Sequence, residues 1–257
     1  MRCLLVSDLH YSLKQFDWVA DVASKFDVVV IAGDHLDVSG HVDGRVQTAV
    51  VMKYFRRLCD QTKVVVCSGN HDLDTRDSAG EKVSQWILKA RQLGIPTDGD
   101  AFEVDDTLFS ICAWWDGPRS RDVVGAQLAR DAALRRGRWI WVYHSPPDAS
   151  PTSWSGTRHF GDKDLSAWIA AHSPDIVLTG HIHDSPFRPE GSWVDRVGST
   201  WVFNAGRQIG PVPTHIVVDT AERSARWVST QRSEGVRLDA ALTRPLRRLA
   251  ERPDWLV

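Results

Sequence analysis

No C-x-x-C pair occurs among the four cysteines, Cys3, Cys59, Cys67 and Cys112, which are scattered along the chain. That spacing argues against a thiolate metal site, a dithiol redox motif or a disulfide framework. Cys3 and Cys67 sit inside the apolar runs Cys3-Leu4-Leu5-Val6 and Val64-Val65-Val66-Cys67, so they read as buried free thiols, which suits a reducing cytoplasm. No apolar run is long enough to span a bilayer, and no basic and apolar leader precedes the first strand. The expectation is a cytoplasmic protein with no membrane partner. An excess of one charge is also missing. A formal net charge of −2 lacks the broad basic field of an avid duplex binder, while a nucleotide or short strand held mainly by metals stays open. There is no internal repeat and no low-complexity segment. What remains, 42% apolar and 25% charged residues in 257, is the balance of an ordinary globular protein of one or two domains.

Short β-branched runs alternate with helix-period segments through the first two-thirds of the chain. Arg2–Val6 reads as a strand, and Gln15–Lys25 as a helix with Phe16, Val19, Ala20 and Ala23 on one face. Asp27–Ala32 is an apolar strand, hence one buried on both sides. Gly44–Cys59 is helical by pattern, Lys63–Cys67 a strand, and Gly80–Leu93 a helix ended by Gly94 and Pro96. Strands over Ala101–Val104 and Leu108–Ala113, a helix over Arg121–Arg136 and a strand over Trp139–Tyr143 follow. Ser145–Phe160 is a long Pro-, Ser- and Gly-rich loop. Asp162–His172 reads as a helix capped by Asp162, and Asp175–Thr179 as a strand. Trp193–Val197, Thr200–Asn204, His215–Asp219 and Ala225–Ser229 are short strands. Residues 1–236 form the main domain and 237–257 a C-terminal helical tail, with Leu238, Leu242, Leu246 and Leu249 at helical spacing and Pro245 as a kink. Its Arg244, Arg247 and Arg248 read either as a solvated face or as an arm for a partner or nucleic acid.

Five clusters of Asp, Asn and His each follow an apolar strand, where a strand's carboxyl end opens into a loop and open α/β sheets bind ligands. They are Asp8-Leu9-His10, Gly33-Asp34-His35-Leu36-Asp37, Gly69-Asn70-His71-Asp72, His144, and Gly180-His181-Ile182-His183. Residues two apart in an extended chain face the same side, so Asp8 can meet one ion together with His10, and His181 and His183 share the same spacing. Gly33 allows a sharp turn and room for an ion beside Asp34. Oxygen and imidazole donors without thiolate suit Mn, Fe, Zn or Co. Two adjacent cations repel, so a shared carboxylate is needed, and Asp34 is the candidate bridge; a hydroxide can be the second.

In that order, D-x-H, G-D-x-x-D, G-N-H-D, a later His and G-H-x-H resemble the calcineurin-like metallophosphoesterase superfamily, over Asp8 to His183. The resemblance implies a four-layer α/β/β/α sandwich, two mixed β-sheets packed together with helices outside. It implies two divalent or trivalent transition-metal ions, one held by Asp8, His10 and His183, the other by Asn70, His144 and His181, with Asp34 between. It makes His71 the non-ligand acid near the leaving group and Asp72 the residue that orients it. A phosphate-ester substrate follows, with a metal-bridging hydroxide attacking phosphorus and His71 protonating the departing alkoxide. A phosphodiesterase is preferred over a phosphomonoesterase or a metal-dependent nuclease. A non-catalytic scaffold on the same fold is the reading from another class, and the intact ligand set argues against it.

Three more residues bear on substrate choice. Trp114, in Trp114-Trp115-Asp116, either stacks on a base or ring or packs beneath the loops. Arg158 either holds a second phosphate or carboxylate or is an ordinary exposed arginine, and His159 beside it is a further contact. His35 reads as exposed or as support behind the ligands. Asn204-Ala205-Gly206-Arg207 resembles the family's late Asn-Pro-Gly turn, with Ala205 as a departure. His41, His172 and His215 carry no assigned role.

Overall fold

A computed structural model describes residues 1–251, 253, 255 and 256. In chain order the strands and helices begin with β1 (Arg2–Val6), α1 (Leu13–Val22), β2 (Val28–Ala32), α2 (Gly44–Cys59) and β3 (Lys63–Cys67). A small hairpin of β4 (Thr75–Arg76) and β5 (Lys82–Val83) leads to β6 (Ala101–Val104), β7 (Thr107–Ile111), α3 (Pro118–Ala132) and β8 (Arg138–Val142). Then come α4 (Lys163–His172), β9 (Ile176–Thr179), β10 (Val194–Val197), β11 (Thr200–Asn204), β12 (His215–Asp219), β13 (Ser224–Val228), β14 (Ser233–Arg237) and β15 (Arg247–Arg248).

Side-chain alternation sorts these strands into layers. The first sheet has the order β15-β14-β13-β12-β1-β2-β3, the second β10-β11-β9-β8-β7-β6. In the first, Cys3, Leu5, Val28, Val30 and Val65 face inward, onto Phe109, Ile111, Ile140, Val142 and Leu178 of the second. The alternate residues Leu4, Val6, Val29, Ile31 and Val66 face outward onto Phe16 and Val19 of α1 and Val51, Phe55 and Leu58 of α2. Leu108, Trp139, Trp141 and Val177 of the second sheet meet Val124 and Leu128 of α3 and Leu165 and Ile169 of α4. This is the four-layer α/β/β/α sandwich, and burial on both faces is why the central strands are apolar throughout. β1, β2 and β3 run parallel, as do β7, β8, β9 and β11, so the carboxyl ends that carry the five clusters open at the sheet edges. No helix among the described residues is long and apolar enough to cross a membrane.

Two expected helices do not form. Over 80–93, the first half is a turn and hairpin, and only Ile87–Leu93 coils, as a 3-10 helix ended by left-handed Gly94. The Asp77 carboxylate accepts the N–H groups of Ala79 and Glu81, with Gly80 at φ 84°, a turn that outcompetes a helical start. Glu81 then reaches across to accept the N–H groups of Arg119 and Ser120 at the start of α3. The expected helical tail over 237–257 is also absent among the described residues; 252, 254 and 257 lie outside them. Pro245 cannot donate inside a helix, and β15 instead pairs antiparallel with β14. Leu238, Leu242 and Leu246 still pack, against the core between the sheets. Arg244, expected on a polar face, turns back to donate to Ser192 Oγ and the Val194 carbonyl, both at 2.9 Å. Asp162 caps α4 as expected, accepting from Asp164 N at 2.7 Å and Leu165 N at 3.1 Å.

Candidate metal centre

The clusters converge where the two sheets meet. Asp8, His10, Asp34 and His183 each offer a ligand atom within 4.8 Å of one another, and Asp34, His144 and His181 do the same. Asp34 is common to both groups. His183 Nε2 lies 3.1 Å from Asp8 Oδ1 and 3.1 Å from His10 Nε2, while His144 Nε2 is 3.3 Å from Asp34 Oδ2. Asn70 occupies the turn between Gly69, which abuts Asp34, and His71, whose N–H donates to Asp34 Oδ1 at 2.9 Å.

The backbone reaches this arrangement by a route the sequence did not suggest. Asp8 and His10 are not extended: their φ angles are 56° and 41°, and Asp34 and His181 stand at 54° and 66°. Four of the seven candidate ligands therefore lie in the left-handed region, each at a cost of about 1–2 kcal/mol. Crossed hydrogen bonds hold them there: Asp8 N to Gly33 O (3.1 Å), His10 N to Asp34 O (2.9 Å), Tyr11 N to His35 O (2.8 Å) and His181 N to Asp8 Oδ2 (3.0 Å). Strain concentrated on potential ligands is the pattern of a functional site.

Glycines make the close approach possible. The room at Gly33 serves His144 rather than an ion, since an added Cβ would lie 2.6 Å from His144 Cγ. At Gly69 a Cβ would lie 2.9 Å from Asp34 Cγ, and at Gly180 it would strike Asp8 and Ser7. The signal was in the sequence, a glycine opening three of the five blocks, but which side chain each glycine admits was not.

Electrostatics bind the cluster together. Burial pushes the Asp8 carboxyl up, but the His183 hydrogen bond and the neighbouring imidazoles outweigh it and hold the pKa at about 2. Asp34 is likewise held well below the usual carboxylate range, against burial, by His144 and His71. His144 shows the reverse: burial opposes its charge, yet Asp34 and Asp8 raise it to about 9. Burial and the charge of His144 lower His181 to about 4. Burial also lowers His10, against the two carboxylates and with help from Arg207. The cluster is thus two carboxylates sharing a cation, a role that a metal ion fills better than a proton. The donor chemistry fits: Asn70 Oδ1 is buried without a hydrogen-bond partner, and the imidazole nitrogens of His10 and His183 point at each other. An orphaned acceptor of this kind calls for a ligand. His144 Nδ1, 2.6 Å from the Ala32 carbonyl, fixes the ring so that Nε2 faces the cluster.

His71 borders this group without belonging to either set. Its ring is edge-on to His10 at 4.6 Å, its Nε2 lies 3.9 Å from Asp34 Oδ2, and it lines a cleft of about 650 Å³ with Leu36, Asp37, Arg45, Gln47 and Asp74. Asp72 does not orient it. The Asp72 carboxylate faces His35 Nδ1 at 3.0 Å and accepts the N–H groups of His35, Leu36 and Gly69, so it pins two ligand-bearing loops together. His35 is accordingly fully buried, and it supports the loops rather than the solvent face. The Trp114 ring packs against His181 (5.0 Å) and His144 (5.7 Å), at the edge of the cluster. Arg158 and His159 are exposed and engaged within their own loop: Arg158 lies over Phe160 at 4.0 Å, and His159 Nδ1 contacts Ser153 Oγ and the Ser150 carbonyl. The structure thus brings neither to the cluster. Arg207, whose turn the sequence marked without singling out the arginine, does come close.

Known structures share this layout. The chain is similar to TT1561 of Thermus thermophilus (13% identity, 92% of this chain and 98% of that one, TM-score 0.58). It is similar to a dimetal phosphatase from Danio rerio (12%, 88% and 95%, TM-score 0.53). Purple acid phosphatase PPD1 from yellow lupin seeds matches over 93% of this chain and 51% of its own (12%, TM-score 0.54). No curated protein matches the sequence. At these identities the structures speak for the fold alone, but the family model of the calcineurin-like phosphoesterase superfamily domain matches residues 1–223, through all five clusters and strands β1 to β12. With that span matched, the chain belongs to the calcineurin-like phosphoesterase superfamily.

Proposed function

We propose that this protein hydrolyses phosphate esters, phosphodiesters in preference, at a pair of transition-metal ions. Asp8, His10 and His183 would hold one ion, Asn70, His144 and His181 the other, and Asp34 both. The observation that carries the reading is the convergence of six carboxylate and imidazole donors in two groups that share Asp34, beside the buried and unpartnered Asn70 Oδ1. Imidazole and oxygen donors suit Mn, Fe or Zn. When bound, the ions supply Lewis acidity toward phosphoryl oxygens and lower the pKa of a water.

The chain's own residues do the rest. The strained turns at Asp8, His10, Asp34 and His181 keep the donors in place before any ligand arrives, so little reorganisation is needed. His71 stands between the donors and the cleft, where it can hand a proton to the departing alkoxide. Asp72 keeps the His71 turn at its distance from Asp34 through His35 and Gly69. The cleft beside His71 accommodates the leaving substituent, and Trp114, on the His144 and His181 side, offers an aromatic face to the other. Two flanks with two different linings favour a diester.

Metal analysis of the purified protein, with assays on bis(p-nitrophenyl) phosphate and p-nitrophenyl phosphate in Mn²⁺, tests this. Two bound ions, faster diester cleavage and an inert Asp34→Ala variant are expected. Faster monoester cleavage would make it a phosphatase. Inert, metal-free protein under Mn²⁺ would make it a scaffold.

A further inference from the structure

Strand β11 ends in a buried polar knot beside the centre. Asn204, fully buried, donates through Nδ2 to the carbonyls of Thr152 (2.9 Å) and Ile182 (3.1 Å) and to Ser185 Oγ (3.2 Å), and its Oδ1 accepts the Gly206 N–H at 2.8 Å. Gly206, at φ 67°, turns the chain against Pro186, where a Cβ would come within 2.6 Å of Pro186 Cγ. That turn lets Arg207 N–H donate to the carbonyl of His183 at 3.1 Å. Past it, Gln15 of α1 donates to the carbonyls of Gln208 (2.9 Å) and Gly210 (3.1 Å), and Thr214 Oγ1 donates to the Gly206 carbonyl at 2.7 Å. The turn is tied down on every side.

Arg207 is therefore presented rigidly next to a candidate ligand. It is half-buried, and its backbone is hydrogen-bonded to that of His183. Yet its guanidinium has no hydrogen bond or ion pair among the described residues. Nearby arginines differ: Arg188 pairs with Asp184 and Arg232 with Glu234. A guanidinium carried on a fixed turn offers five donors in a planar fork matched to phosphate oxygens, and desolvating it without a partner is costly. An anion from outside the chain resolves that cost.

We propose that the Arg207 guanidinium binds a non-bridging oxygen of the phosphoryl group on which the centre acts, in the ester and in the phosphate product. The proposal rests on the phosphoesterase reading above. It is tested with Mn²⁺-loaded wild type, Arg207→Gln, Arg207→Lys and, on the same turn, Ile209→Ser, whose side chain is 95% exposed. Metal content, inorganic phosphate binding by calorimetry, and KM and kcat on bis(p-nitrophenyl) phosphate are measured. Losing a charged hydrogen bond should weaken phosphate binding and raise KM by roughly ten- to a hundredfold in Arg207→Gln, with metal content unchanged. Arg207→Lys should recover part of the loss, and Ile209→Ser should match wild type. Unaltered phosphate binding in Arg207→Gln overturns the proposal. So does a loss that follows metal content. If wild type itself neither cleaves ester nor binds phosphate, the functional reading falls first and takes this one with it.

Discussion

Replacing Gly33 by alanine adds one carbon where the fold has no space for it. At φ 84° an L-residue pays about 1–2 kcal/mol in backbone strain. The added Cβ would also lie 2.6 Å from His144 Cγ and 2.9 Å from His144 Cβ, closer than real Cβ contacts allow. His144 is fully buried and anchored by Nδ1 to the Ala32 carbonyl at 2.6 Å, so it cannot swing clear. Overpacking of this kind costs about 1–3 kcal/mol. Together these come to roughly 2–5 kcal/mol, within the 5–15 kcal/mol of a typical domain, so the variant should fold with a lower Tm. Its His144 Nε2, however, would be displaced, and a shift of about 1 Å costs about a hundredfold in rate. Gly80→Ala is the control, because Gly80 has the same φ of 84° but nothing within 4 Å of its Cβ. Metal stoichiometry, thermal melting and kcat/KM would be measured on both. Gly33→Ala should lose one of two ions and at least about a hundredfold in activity, and Gly80→Ala neither. Equal losses in both variants, or full occupancy in Gly33→Ala, would refute the reasoning.

Three further outcomes are expected. His71→Ala should keep both metals but lose about two to four powers of ten in kcat on alkyl esters, and much less on p-nitrophenyl esters, whose leaving group needs no proton; equal losses would remove His71 as the acid. Asp72→Ala removes the acceptor of His35 Nδ1 and of the His35, Leu36 and Gly69 N–H groups, so it should lower stability by at least about 1–3 kcal/mol in urea titrations; an unchanged midpoint with an altered acid limb of the pH–rate profile would instead restore its link to His71. His215 is buried with Nδ1 on the Pro213 carbonyl and Nε2 accepting from Trp255 Nε1, and burial lowers its pKa to about 4. The unfolded chain therefore binds the extra proton first as pH falls, so the stabilisation present above the ordinary value near 6.5 is lost toward pH 4. By about pH 5 the gap between wild type and His215→Gln in urea midpoints should have narrowed by about 2 kcal/mol; a gap independent of pH would show that His215 titrates normally.

The legible part of this protein was local. Two-residue alternation in Leu4-Leu5-Val6 and Val28-Val29-Val30 places side chains on opposite faces whatever surrounds them, so a strand with both faces apolar announces a sheet covered on both sides. The same holds for the donors after each strand, because a strand's carboxyl end carries its next residues to the sheet edge. Helical spacing was a weaker guide. The leucines of 238–249 fit a helix, but packing against the inter-sheet core and pairing with β14 satisfied them better around Pro245. Over 80–93, a side chain–backbone turn at Asp77 outcompeted the pattern.

By itself, then, the order of residues determined the five donor blocks, the apolar strands that end in them and the likeness that named the family. Only the pairing of β2 with β3 decided that Asp72 serves His35 and not His71, and only the packing of one sheet on the other that Gly33 makes way for His144 and that Arg207 rather than Arg158 stands beside the donors. Each of those facts is a distance between residues about forty to two hundred positions apart. Local propensity does not encode such distances; they follow from where two sheets with interlocking side chains come to rest.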